Sequence, residues 1–143
     1  MTKTTEQDVT KTPATFDFAT RDSAARCEEG VEMDVLDPST NESTGAFITL
    51  AGTDSDTHRR ASAMIAKRRA KGGFRAKTFD PDKFLAENIE LLAACTLSWR
   101  GVVLSGETLP CTKSSAITLY TRFPWLREQV EAFISERTNY LQD

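Results

Sequence analysis

The stretch FDPDKFLAENIELLAACTLSW, residues 79–99, decides how the chain is expected to fold. It opens with a complete helix start. Asp80 is placed to accept hydrogen bonds from the first unpaired amides, Pro81 stands where its missing N–H costs nothing, and Phe79 can close on Phe84 as a staple. From there Phe84, Leu85, Ile89, Leu92, Thr96 and Trp99 recur every three or four residues, which predicts an amphipathic helix of about four to five turns. Gly101 ends it, and Cys95 falls inside it as a small core residue. The cover for its apolar stripe is a last helix running from Pro124 to about Tyr140, where Leu126, Val130, Phe133, Ile134 and Leu141 repeat the spacing. Between the two, VVLSGETLP reads as a small hairpin around Ser105-Gly106. A short helix then follows Thr112, with Ile117, Leu119 and Tyr120 as its packing residues. Phe123-Pro124 breaks it, because a residue before proline is pushed out of helical angles.

Upstream the period changes. Val31, Met33 and Val35 alternate with Glu32 and Asp34, and Phe47, Ile48 and Leu50 make a matching strand, so the pair reads as a hairpin. Its loop, DPSTNESTG, is nine residues bracketed by Asp37-Pro38 and Gly45, long enough to be mobile or to touch a partner. Gly52-Thr53-Asp54-Ser55 then supplies caps for a helix that runs to about Lys71 and stops at Gly72-Gly73. Its apolar surface is thin: Ala61, Met64, Ile65 and Ala66. Phe16 and Phe18, at strand spacing, suggest an edge strand or a segment laid on the core, and Met1 to about Thr12 is too polar to order.

With 143 residues, 39% apolar and 27% charged, the chain is long enough to bury a core without disulfides or metals. Cys27, Cys95 and Cys111 are an odd number at unpatterned spacings, which argues for a reducing compartment. No window reaches the roughly 18–20 apolar residues of a membrane span, and the start MTKTTEQDVTKT lacks a signal-peptide core, so a soluble cytoplasmic protein with no membrane partner is expected. The net charge of −3 hides a segregation. Between His58 and Lys77 lie Arg59, Arg60, Lys67, Arg68, Arg69, Lys71, Arg75 and Lys77 with no acid among them, leaving ten basic residues against twenty-one acids elsewhere. Such asymmetry implies an acidic partner or an acidic face of the same fold.

Chemistry is hard to place on these residues. The basic run has only Phe74 as an aromatic to stack on bases, so nucleic acid is disfavoured as a partner. His58 and the three cysteines are scattered over more than eighty residues, without the close pairs of a zinc site. His58, Asp54 and Ser55 sit together at a helix start, where capping accounts for them without a proton relay. No catalytic, metal or cofactor residues are expected, and no enzyme activity. Trp99 and Trp125, each with an N–H that needs a partner, suit a core flank or the rim of a binding groove.

Three pieces, MDVLDPSTNESTGAFITLAGTDSDTHRRA, ENIELLAACTLSWRGV and LYTRFPWLREQVEAFI, in this order and at these separations, resemble a tail assembly chaperone of long-tailed bacteriophages or prophages. The likeness spans Val31 to Leu141 and rests on the Asp37-Pro38 loop, the Gly52–Ser55 step, the Trp99-Arg100-Gly101 turn and the Phe123-Pro124-Trp125 helix start. It implies a small non-enzymatic protein of the host cytoplasm, absent from the mature virion, that holds the tape measure protein soluble and recruits tail tube protein. It also implies a longer frameshifted form as a further partner, the present chain resembling the short form. Trp99, Gly101, Pro124 and Trp125 match the family pattern. The alternative is a small nucleic-acid-binding or regulatory phage protein using the basic helix 58–77.

The sequence thus predicts an α+β fold: a disordered arm over 1–12, a β-rich part with a hairpin over 13–53, and about four helices over 54–143 packed with it as one domain. The helix after Asp80 and the helix after Pro124 are expected to leave an apolar groove between them for an amphipathic partner helix. Arg59, Arg60, Lys67, Arg68 and Lys71 would add charge attraction, with Trp99 and Trp125 as anchors. Self-association is left open.

Overall fold

A computed structural model describes residues 14–72 and 79–141. The expected arm over 1–12, and Phe74, Arg75 and Lys77 of the basic run, lie outside the described residues. The fold is α+β, a hairpin followed by helices, as the two periods in the sequence predict. In chain order the elements are α1 (Ala24–Glu29), β1 (Val31–Leu36), β2 (Ser43–Leu50), α2 (Asp56–Lys71), α3 (Pro81–Ala94), β3 (Thr96–Arg100), the two-residue strands β4 (Val103–Leu104) and β5 (Glu107–Thr108), α4 (Lys113–Arg122) and α5 (Pro124–Ser135).

The local signals work as their chemistry dictates. Asp80 accepts from the amides of Asp82 and Lys83, Pro81 is the first residue of α3, and the Phe79 and Phe84 rings stand 5.5 Å apart. Ser55 and Thr112 cap α2 and α4, accepting from the amides of His58 and Ser115. Ser105 and Gly106 both take positive φ, the requirement of a tight two-residue turn, between β4 and β5. In β1, Met33 and Val35 are buried while Glu32 and Asp34 are exposed.

Four expectations are corrected. The helix after Asp80 does not reach Trp99: it ends at Ala94, and Thr96–Arg100 is a strand pairing antiparallel with β2. The hairpin is therefore the first two strands of a three-stranded sheet in the order β1-β2-β3. Thr96 and Trp99 fit a helical period by coincidence. β2 needs a partner for its second edge, and β-branched and aromatic residues suit the strand that provides it. Thr96 marks the switch, its hydroxyl donating back to the Leu92 carbonyl at 2.9 Å and meeting the Tyr120 hydroxyl at 2.7 Å.

The hairpin loop is shorter than nine residues, since β2 begins at Ser43. Asp37 orders it, accepting from the Ser39 amide at 2.8 Å and hydroxyl at 2.7 Å, and its carbonyl accepts from Asn41 at 2.7 Å. The last helix ends at Ser135, not near Tyr140, and a 3-10 turn over Arg137–Tyr140 follows. Phe16 and Phe18 form no strand: Asp17 caps a 3-10 turn over Phe18–Arg21, and Asp22 accepts from the Ala24 amide at 3.1 Å where α1 starts.

One apolar cluster joins the elements. Met33, Val35, Ile48 and Leu50 of the sheet meet Ile89, Leu92 and Ala93 of α3, Leu119 and Tyr120 of α4, and Leu126, Val130 and Ile134 of α5. The α3 and α5 seams do face each other, but α4 packs on both and the space between them is core. The free edge of β1 is held by Gln129 of α5, whose amide accepts from the Leu36 N–H at 3.0 Å and donates to the Leu36 carbonyl at 2.8 Å.

The step from β2 to α2 is the busiest junction. Gly52 donates to the Cys27 carbonyl at 3.0 Å, and the Thr53 hydroxyl donates to the Ile134 carbonyl at 3.0 Å. Asp54 accepts from Ser23 at 2.5 Å and from two guanidinium nitrogens of Arg137 at 2.5 and 2.8 Å. Tyr140 is fully buried and donates to the Leu50 carbonyl at 3.1 Å. The Arg137 bond, then the Ser23 bond, pull the Asp54 carboxyl down to about 2. A folded-state value below the unfolded one makes this contribution complete above about pH 5 and lost as pH falls toward 2. Burial holds His58 below its ordinary value, which weakens the fold in the same direction, beginning near pH 6.5. Asp54→Asn is expected to remove on the order of 1–2 kcal/mol at pH 7 and to flatten the stability loss between pH 5 and 2. Urea midpoints of both proteins across that range check it, and parallel curves would contradict the junction's role.

Candidate functional site

Trp125 stands at the mouth of an apolar cleft of about 280 Å³ between the sheet, the β4–β5 hairpin and the α4–α5 corner. Pro124 sets this corner, as the first residue of α5. Val35, Ile48, Val102 and Leu126, all buried core residues, form the floor. Val103, 57% exposed, lines the cleft together with Phe123 and half-buried Trp125, whose rings lie 6.3 Å apart. Gly101 (φ +73) passes so close to the Gly45 backbone that any side chain there would strike it, and this contact closes one wall. Such a surface can hold an apolar segment of another protein and has few polar groups with which to orient a small substrate.

Trp99 is placed differently. It lies on β3, half-buried against the core, and its indole donates to the Leu109 carbonyl at 2.8 Å, tying the hairpin's exit to the sheet. Trp125 makes no such hydrogen bond among the described residues. The groove expected between the helices after Asp80 and Pro124 is corrected here: that seam is filled by Ile89, Leu92, Val130 and Ile134, and the open cleft lies against the sheet instead. α4 explains the shift, since its Ala116, Leu119 and Tyr120 insert where a partner helix would have gone.

The basic residues of α2 line no part of that cleft. Most are matched by the protein's own acids. Arg59 pairs with Asp56 at 3.0 Å, Arg60 with Glu28 at 4.0 Å, and Arg68 reaches Glu90 at 2.7 Å, while Arg69 bonds Glu87. The Arg68 bond holds the Glu90 carboxyl below its ordinary value, with Lys113 helping at 4.0 Å. Lys67 and Lys71 are exposed and make no ion pair among the described residues. A second opening of about 260 Å³ lies between α2 and α3, lined by Ile65, Arg69, Phe84, Glu87 and Leu91 among others.

Residues that invite a catalytic reading are committed elsewhere. Ser55 donates to the Gly52 carbonyl at 2.7 Å, Asp54 is held by Arg137, and the His58 ring stands 3.5 Å from the Ser62 hydroxyl. Cys27 and Cys95 are buried, and burial pushes the Cys95 thiol up to about 12. Among the described residues no group of three His, Cys, Asp or Glu could hold a metal ion, and no helix is long and apolar enough to cross a membrane.

Val103 and Glu87 escaped the sequence reading. For Val103 there was no signal, because two-residue strands carry no period. Glu87 had one: it sits between Phe84 and Leu91 on one helix face, a charge within an apolar stripe. Comparison of the chain with protein-family models, with curated proteins and with solved structures returns no match.

The two tryptophans are expected to respond differently to loss of the indole N–H. Trp99→Phe should cost about 1–2 kcal/mol, because the Leu109 carbonyl loses its donor, and Trp125→Phe clearly less. Chemical denaturation of both variants measures this, and equal losses would contradict the assignment.

Proposed function

We propose that this protein is a non-enzymatic binding module acting as a tail assembly chaperone of a long-tailed phage or prophage. In this reading it works in the host cytoplasm and is absent from the finished particle. It keeps the tape measure protein soluble and gathers tail tube subunits around it. The observation that carries the reading is the apolar cleft under Trp125 and Val103, whose floor is made of buried core residues and whose rim is open. Apolar segments of a long unassembled client would aggregate if exposed, and shielding them in such a cleft lowers that tendency. The likeness of residues 31–141 to the chaperone pattern, with Gly101, Pro124 and Trp125 all lining or shaping this cleft, supports the same reading.

The nucleic-acid alternative draws less support. Of the six basic residues described in α2, Arg59, Arg60, Arg68 and Arg69 are already paired with carboxylates. Counterion release needs cations that are available to phosphates.

Co-expression with the tape measure protein tests the proposal. The soluble fraction of the client should rise several-fold with the wild-type chain and return to baseline with Val103→Asp or Trp125→Ala, both of which alter the cleft and not the deep core. A client equally soluble with and without this chain would remove the chaperone role. A retarded DNA or RNA band that weakens steeply with salt would favour the alternative.

A further inference from the structure

The helix pair α2–α3 is joined by charge more than by packing. Two ion pairs link it, Arg68 with Glu90 and Arg69 with Glu87, whereas Ile65 is the one buried residue that α2 contributes. Ser62, Ile65 and Arg69 on α2 face Phe84, Glu87 and Leu91 on α3, and an opening of about 260 Å³ separates the two rows. Glu87 lines this opening at 7% exposure. One of its oxygens accepts from Arg69, and the other, Oε2, is buried with no hydrogen-bond partner among the described residues. A buried acceptor without a donor raises the free energy of the unbound protein, and a ligand that supplies the donor recovers it.

The surroundings select the donor. Arg69 already balances the Glu87 charge, and Arg68 stands beside it on the same helix, so a further cation would meet repulsion that a neutral O–H or N–H would not. The walls formed by Ile65, Leu91 and half-exposed Phe84 call for an apolar body, and a ring is the best complement to Phe84. Tyrosine and tryptophan combine a ring with one neutral donor at its tip. Lys67 and Lys71, exposed on α2 and without ion pairs among the described residues, favour acidic neighbours on either side of that ring.

We infer that the α2–α3 opening is a docking site for a tyrosine or tryptophan side chain of a partner protein, set among acidic residues. The ring lies against Phe84 and Leu91, and a turn of the Glu87 carboxylate toward the opening lets Oε2 accept from its O–H or N–H. This site shares no residue with the apolar cleft under Trp125, so it stands whether or not the chaperone proposal does.

A short acidic peptide with a central Tyr, and its counterpart with Phe, differ by the one donor in question. Titrated into the 15N-labelled full chain, the Tyr peptide is expected to shift the backbone amides of Ser62, Ala66, Asn88 and Leu91 and to bind about tenfold more tightly than the Phe peptide. Added salt should weaken both. Glu87→Met, which removes both oxygens at similar volume and leaves half-exposed Arg69 in water, should bring the two peptides to within about twofold. Three results would overturn the inference: no shift at those amides, equal affinity of the two peptides for the wild-type chain, or a Tyr preference that survives in Glu87→Met. Equal affinity would mean that a water molecule supplies the donor. The wild-type comparison decides the matter even if the variant does not fold.

Discussion

The two-pronged bond between Arg137 and Asp54, with Ser23 on the same carboxylate, holds together three parts of the chain that are far apart in sequence. It works because Gly52 lets them approach: a Cβ at that position would fall on the Cys27 sulfur and the Tyr140 ring. Around this step the end of β2, the exit of α1, the end of α5 and the start of α2 exchange backbone and side-chain hydrogen bonds. A carboxylate held this far below its ordinary value stores part of the fold's stability in one charge pair. The junction also fixes the direction in which α2 leaves the sheet, and so which acids of α1 and α3 its arginines meet.

From that starting point α2 runs along the margin of the core. Its inward row is small or polar, Ser62, Ala66 and Arg69 beside Ile65, and it cannot fill the space against α3 as leucines would. Ion pairs take over the work of attachment. Because the arginine of each pair stays half in solvent while its carboxylate is mostly covered, they align the helices more than they stabilise them. The segregation of charge along the sequence is thus resolved partly within the fold, acids on α1 and α3 meeting bases on α2.

The two openings have different physical origins. Under Trp125 the gap exists because β4 and β5 are two residues each, too short to cover the sheet's inner face where it meets the α4–α5 corner. Between α2 and α3 it exists because facing side chains are small or charged. The first is apolar and suits hydrophobic segments. The second holds a buried carboxylate and suits a donor, so one small fold presents two chemistries on different faces.

Caps, turns and alternation are local chemistry, and the residues that perform them could be named from the chain alone. Asp80 with Pro81, Ser55, Thr112, Ser105-Gly106, and the buried Met33 and Val35 all behave as their neighbours in sequence require. The basic run and the place of Trp125 at a corner were legible for the same reason. The fate of residues 96–100 was not, because a helical spacing there competed with the need of β2 for a second partner, and only the assembled sheet expresses that need. Likewise the two apolar seams announced a core but not its filling. Whether such seams enclose a groove or close on each other depends on what α4 inserts between them, a packing outcome set by volume in three dimensions.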